Sequence, residues 1–229
     1  MRPARSGCKN VRSMIARTGT VPPLRLDPDA ALAGLDWAEV FGRTGRVEVE
    51  IGIGKGRFLL AAAEARPDVL HFGVEWANEY LRIAEERAGK RALENVRFVR
   101  VDAGELVRRA LPESSVSAFY VFYPDPWPKK RHHKRRLIQP EFLTLAATRL
   151  RPGGLLHCAT DWEPYAEQML EVLTAHPDFE NTQPDGGYAP RPDFRPLTRF
   201  EGQGLDKGHV VNDLLFRRVQ HRDQPTAGD

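Results

Sequence analysis

The sequence predicts an α/β fold, a doubly wound, mostly parallel sheet with helices on both faces, on three observations. From Arg46 onward, short apolar runs alternate with stretches of helical periodicity. Glycine, proline and polar clusters punctuate that alternation. Acidic residues close successive strand-like runs, which is the rim where such a sheet binds its ligands.

The elements follow in order. RVEVEIGIG (46–54) reads as a buried strand entering a glycine turn, and GRFLLAAAEAR (56–66) as a helix stopped by Pro67. LHFGVE (70–75) is a second strand, NEYLRIAEERAGK (78–90) a helix and VRFVRVDA (96–103) a third strand. SVSAFYVFYP (115–124) and GLLHCATD (154–161) are the fourth and fifth strands. Between them lies the helical LIQPEFLTLAATRLR (137–151), where Pro140 marks an early helical position or a break. WEPYAEQMLEVLTAH (162–176) is a further helix, and GHVVNDLLFRRV (208–219) a last strand.

A chain of 229 residues, 41% hydrophobic, suffices for one sizeable core, and neither a repeat nor a linker divides it. Two cysteines, Cys8 and Cys158, are too few for a disulfide framework, and no run resembles a secretory or membrane-spanning segment. These features describe a soluble protein of a reducing cytoplasm. The formal net charge is only +3, but the cations are unevenly placed. Arg2, Arg5, Lys9, Arg12, Arg17 and Arg25 face no acid in the first 26 residues. The expected plan is a basic, partly mobile arm over residues 1–45, a core domain over 46–219 and a polar tail over 220–229.

Glu50, Glu75, Asp102, Asp125 and Asp161 end or follow the five predicted parallel strands. One acid after a strand is usually a helix cap; five in register point to a site. Gly52, Gly54 and Gly56 let the backbone turn tightly after the first strand, although a glycine turn also serves packing alone. The spacing lacks the second half of a dinucleotide fingerprint, and Glu50 adds negative charge where a pyrophosphate would lie. That acid suits a cofactor with ammonium and sulfonium charges, S-adenosyl-L-methionine. A nicotinamide dehydrogenase is disfavoured, because no acid/base group for hydride transfer accompanies the glycines.

VEIGIGKG, GVEW, VDA, YPDPWPKKRHHKRR, TDWEPY and TRFEGQGLDKGH together resemble the bacterial tRNA (guanine-N7)-methyltransferase family, over roughly residues 46–218. The resemblance implies a seven-stranded class I methyltransferase (Rossmann-like) fold, S-adenosyl-L-methionine as donor, and a guanosine at position 46 in the tRNA variable loop as acceptor. By position it makes Glu50, Gly52, Gly54, Gly56, Glu75, Asp102 and Asp125 cofactor residues, with Asp125 also at the catalytic centre. Lys129, Asp161, Thr198, Arg199, Phe200 and Glu201 match substrate positions, and RHHKRR, with Arg131, Lys134, Arg135 and Arg136, matches the RNA-facing segment. The chain departs from the pattern at Tyr123, where phenylalanine is common, and at Gln203, where arginine is common. The arm matches only loosely, through VRSMIARTG.

Pro124, Pro126 and Pro128 restrict the loop that carries Asp125, so a carboxylate can be held in place at little ordering cost. A carboxylate accepts from the N–H donors of guanine's Watson–Crick edge and leaves N7 facing the methyl donor. Beyond the loop, Lys129, Lys130, Arg131, Lys134, Arg135 and Arg136 place six positives in eight residues, a phosphate-binding pattern when it adjoins a reactive loop. Trp127 either stacks on a base or anchors the loop. His132 and His133 lack companion ligands at metal spacing, and Cys158 is a core residue. The expectation is an enzyme acting on tRNA as a monomer or homodimer, without membrane or metal. The alternatives are a methyltransferase of another RNA base or a noncatalytic RNA-binding protein.

Overall fold

The computed structural model describes residues 22–195 and 210–219. Seven strands form one sheet: β1 (Arg46–Ile51), β2 (Val69–Val74), β3 (Val96–Val99), β4 (Val116–Phe122), β5 (Leu150–Thr160), β6 (Phe179–Asn181) and β7 (Asn212–Arg218). Their order is β3-β2-β1-β4-β5-β7-β6. β1 to β5 are parallel, and β7 runs antiparallel between β5 and β6. The order reverses between β1 and β4, so the crevice for a ligand opens beyond their carboxyl ends.

The helices are α1 (Pro28–Leu32), α2 (Trp37–Phe41), α3 (Arg57–Ala65), α4 (Asn78–Lys90), α5 (Ala103–Arg109), α6 (Pro140–Arg149) and α7 (Glu163–Thr174), with a 3-10 helix over Lys130–Arg135. In α4, Leu81, Ala84 and Ala88 are buried on one stripe, as helical periodicity requires. Pro140 stands in the first turn of α6, where its missing N–H costs nothing. Gly56 opens α3 with φ 73°, and a Cβ there would lie 2.9 Å from Ala84 Cβ, so this glycine is required by the packing of α3 on α4.

β1 is buried, as its sequence predicts, and that includes its glutamates Glu48 and Glu50, because helices cover both faces of the sheet. Glu48 is neutralised within the core. Arg46 and Arg66 each approach its carboxylate at 2.7 Å, and the Tyr120 hydroxyl donates to it at 2.9 Å. Burial alone would raise its pKa, but the bond and charge of Arg66, helped by Arg46, hold it below the ordinary value.

Residues 22–45, expected in the arm, pack on the domain. Leu26 donates to the Phe98 carbonyl and Phe98 to that of Leu24, so this segment covers the β3 edge. Asp27 and Asp36 cap α1 and α2, whose Ala31, Val40 and Phe41 enter the core, and buried Arg97 donates to the Val40 carbonyl at 3.1 Å. The rest of the arm and the tail lie outside the described residues.

Candidate functional site

The parallel strands end in step. Ile51 pairs with Val74 and Val121, Val74 with Val99, and Val121 with Cys158. Gly52 and Glu75 are one residue beyond that row, Asp102 and Asp161 three, and Asp125 four, so the sheet gathers the predicted acids on one rim.

Glu50 lies one position before the row, 4% exposed, and its Oε2 has no partner among the described residues. Burial, with a smaller push from Glu75 and partly offset by the Leu59 backbone, raises its pKa from 4.5 to about 8. Gly52 and Gly54 have φ 75° and 52°, and a Cβ on either would meet nothing within 4 Å. Unlike Gly56, these two glycines face open space. A buried acid with one unmatched oxygen beneath a bare glycine turn fits a cationic cofactor that approaches the backbone closely.

Glu75 braces the turn from the next strand, its Oε2 accepting from Gly54 N and its Oε1 from Ala77 N, both at 2.8 Å. Each carboxylate oxygen has two acceptor sites, so both retain capacity for a ligand hydroxyl. Asp102 accepts from Glu105 N at 3.0 Å and caps α5, a helix the sequence reading did not foresee. It is both a cap and a rim acid.

Asp125 is exposed, and no described residue donates to its carboxylate. Tyr123 and Trp127, two residues to either side, have φ 51° and 43°, a left-handed geometry that costs about 1–3 kcal/mol for such residues. The surroundings fix both. Tyr123 N donates to the Ala159 carbonyl at 2.7 Å, and its hydroxyl, the departure noted in the sequence, accepts from Arg195 at 3.4 Å. Arg195 donates to Asp213 at 2.8 Å, and Asp213 meets His157 Nε2 at 2.6 Å; all three are buried. Sequence reasoning missed this network, since its members come from β5, β7 and the connection between β6 and β7. Asp213→Ala leaves His157 and Arg195 without their shared carboxylate and is expected to cost about 3–5 kcal/mol in urea denaturation.

Trp127 is half-buried, with the Arg135 guanidinium 5.0 Å from its ring centre and the His132 ring edge-on at 5.9 Å. Of its two expected roles, the anchor is the one these contacts serve. Lys129, Lys130, Arg131, Lys134 and Arg135 are exposed on or beside the 3-10 helix. Arg136 departs from them and from its expected contact with RNA: it is 4% exposed, folded over Tyr165 and bonded to the Pro126 carbonyl.

Asp161 is exposed after β5. The N-cap position of α7 is Trp162, not Asp161, and Tyr165 is buried, so Asp161 has no capping role in this helix. Thr198, Arg199, Phe200, Glu201 and Gln203 lie outside the described residues. Among the described residues no group of three or more His, Cys, Asp or Glu is placed to hold a metal ion, and no helix is long and apolar enough to cross a membrane.

The methyltransferase family model Methyltransf_4 matches residues 44–214. The chain is 65% identical over 190 residues to a tRNA (guanine-N(7)-)-methyltransferase of Streptomyces avermitilis, covering 83% of this chain but only 66% of that protein, just under two thirds. It is 61% identical over 198 residues to the one of Streptomyces coelicolor, covering 85% of this chain and 72% of that one. For the one of Bordetella pertussis the values are 46% over 227 residues, 95% and 89%. Among solved structures, the 16S rRNA methyltransferase KamB superposes with a TM-score of 0.57 at 18% identity, covering 87% of this chain and 99% of that one. TrmN from Thermus thermophilus superposes with 0.53 at 19%, covering 91% and 48%. These two bear on the fold, which is that of class I methyltransferases.

Proposed function

The chain belongs to the tRNA (guanine-N7)-methyltransferase family, within the Methyltransf_4 methyltransferases, and from that premise we infer that it transfers the methyl group of S-adenosyl-L-methionine to N7 of a guanosine in tRNA. We assign the acceptor to the variable loop, position 46. A tRNA substrate supports a cytoplasmic location as part of the same reading. One observation carries the site assignment: an exposed carboxylate, Asp125, held on a strained proline-flanked loop at the rim where Glu50 keeps an unmatched buried oxygen.

When bound, the cofactor supplies an electrophilic methyl group on a positively charged sulfur. Glu50 and Asp125 would hold its cationic end, Glu75 would accept from its ribose hydroxyls, and Asp102 would accept from its adenine amine. N7 of neutral guanine carries a lone pair and no proton, so its attack requires no general base. Asp125 therefore positions, accepting from the guanine N–H donors and leaving N7 directed at the methyl group. Positive charge then appears on the purine, where the same carboxylate stabilises it. Asp161, with Thr198, Arg199, Phe200 and Glu201 on the strength of the resemblance, completes the substrate side.

Lys129, Lys130, Arg131, Lys134 and Arg135 take the tRNA phosphates. If about four phosphates are neutralised, the logarithm of tRNA affinity falls with the logarithm of salt at a slope of roughly three to four. Replacing Lys130 and Lys134 together by alanine is expected to reduce that slope by about one to two while kcat at saturating tRNA stays unchanged. A flat salt dependence in filter binding refutes the phosphate role.

The activity is tested with methyl-labelled S-adenosyl-L-methionine and an unmodified tRNA transcript, followed by identification of the nucleoside and mapping of its position. Label in 7-methylguanosine of the variable loop is the expected result. Label in another base keeps the methyltransferase and overturns the acceptor.

A further inference from the structure

We propose that Arg136 is a positioning residue for methyl transfer, a buried guanidinium that ties the Asp125 loop to the first turns of α7. The inference rests on the reading of Asp125 given above. Arg136 closes a run of six cations in eight residues yet is the one that is buried. Its Nε donates to the carbonyl of Pro126, the residue after Asp125, at 2.9 Å. Its Nη1 reaches the Pro164 carbonyl at 3.4 Å and Gln168 Oε1 at 3.3 Å, both on α7. The guanidinium carbon lies 4.7 Å from the centre of the Tyr165 ring. That platform is itself fixed, since the Tyr165 hydroxyl accepts from Ile138 N at 3.1 Å and Gln168 Nε2 donates to the Ile138 carbonyl at 2.9 Å. One planar group thus joins the segment holding Asp125 to the helix that begins two residues after Asp161.

Stability alone argues for a different residue. Arg136 Nη2 is buried without a partner among the described residues, and an apolar side chain of similar length avoids that cost. The loop has the opposite requirement. Tyr123 and Trp127 hold left-handed geometry on either side of Asp125, and such geometry persists only where the surroundings over-determine it. Arg195 supplies the restraint on the Tyr123 side, and Arg136 supplies it next to Trp127. A lysine cannot replace it, because an ammonium does not lie flat on Tyr165 while reaching both the loop and α7.

The test compares Arg136→Met and Arg136→Lys with the wild type by melting temperature, hydrogen exchange and steady-state kinetics on tRNA. In the folded Met variant, exchange is expected to accelerate in a peptide spanning residues 120–129 and to stay unchanged in α7. A loop released by about 1 Å costs on the order of 100-fold in kcat, with tRNA KM and cofactor affinity little changed and no recovery in the Lys variant. Two results overturn the proposal. One is unchanged kcat with a raised tRNA KM and a salt slope lower by about one, which makes Arg136 a phosphate contact. The other is unchanged exchange and unchanged kcat. If Arg136→Met does not fold, the Lys variant decides alone: lost kcat at wild-type tRNA KM supports the clamp, and full kcat refutes it. If the wild type itself methylates no tRNA guanine in this assay, the proposed function fails, while the exchange measurement still decides whether Arg136 holds the loop.

Discussion

Asp125→Asn is expected to lower kcat/KM for tRNA by about 100- to 1,000-fold, the range seen when one preorganised electrostatic partner of a transition state is removed. The substitution keeps the shape of the side chain and removes its charge. It also turns one acceptor atom into a donor that faces the guanine N–H groups, so both orientation and charge stabilisation are lost. Because Asp125 is exposed and takes no bond from any described residue, the melting temperature should stay within the small range of surface substitutions. Cofactor affinity, measured by calorimetry, should change far less than turnover. An Asn variant with wild-type turnover and tRNA binding removes Asp125 from the mechanism.

Glu50→Gln is expected to change two pH dependences at once. In the free protein the Glu50 pKa is raised to about 8, so the folded chain keeps a proton that the unfolded chain releases near the ordinary 4.5. The sign follows from that order: fewer protons on the unfolded state mean that stability falls as pH rises from about 4.5 to about 8. A shift of this size corresponds to about 5 kcal/mol at most, and the Gln variant lacks the decline. A cationic ligand beside Glu50 favours the carboxylate, so wild-type affinity for S-adenosyl-L-methionine should rise with pH toward 8 and its binding should release protons. Calorimetry in two buffers of different ionisation enthalpy reads that release directly. Equal proton release in wild type and variant places the titrating group elsewhere.

The strands and the rim were legible in the sequence because both follow from local pattern. Apolar runs marked β1 to β5 and β7, and in a parallel sheet an acid at the end of each run has only one rim to occupy. The misses have physical causes. β6 spans only Phe179–Asn181 and depends on pairing with β7, so no local periodicity announces it. α1, α2 and α5 are also short, and their caps, Asp27, Asp36 and Asp102, are the signals the sequence offers; the place of Asp102 on the rim does not exclude its cap role. The partners of Glu48 were not legible, because nothing in β1 reveals that Arg66 and Tyr120 will surround it. Arg136 was grouped with its cationic neighbours, and only the tertiary placement of Tyr165 and Pro126 separates it from them.

The position of β7 between β5 and β6 sets an order of assembly during synthesis. The ribosome delivers β1 to β4 first, so the cofactor shelf of Glu50, the glycine turn and Glu75 can form while the rest of the chain is still being made. His157 and Arg195 emerge next and wait for a carboxylate that arrives only with Asp213. Until then the edge of β5 is bare and β6 has no strand to join. A nascent chain halted before residue 212 therefore carries every residue assigned to the site but lacks the carboxylate that fixes the Asp125 loop through Arg195, and its β5 edge is exposed to pairing with the wrong strand. β7 is the strand that lets Arg195 grip Tyr123, so the loop around Asp125 is finished only after β7 has been made.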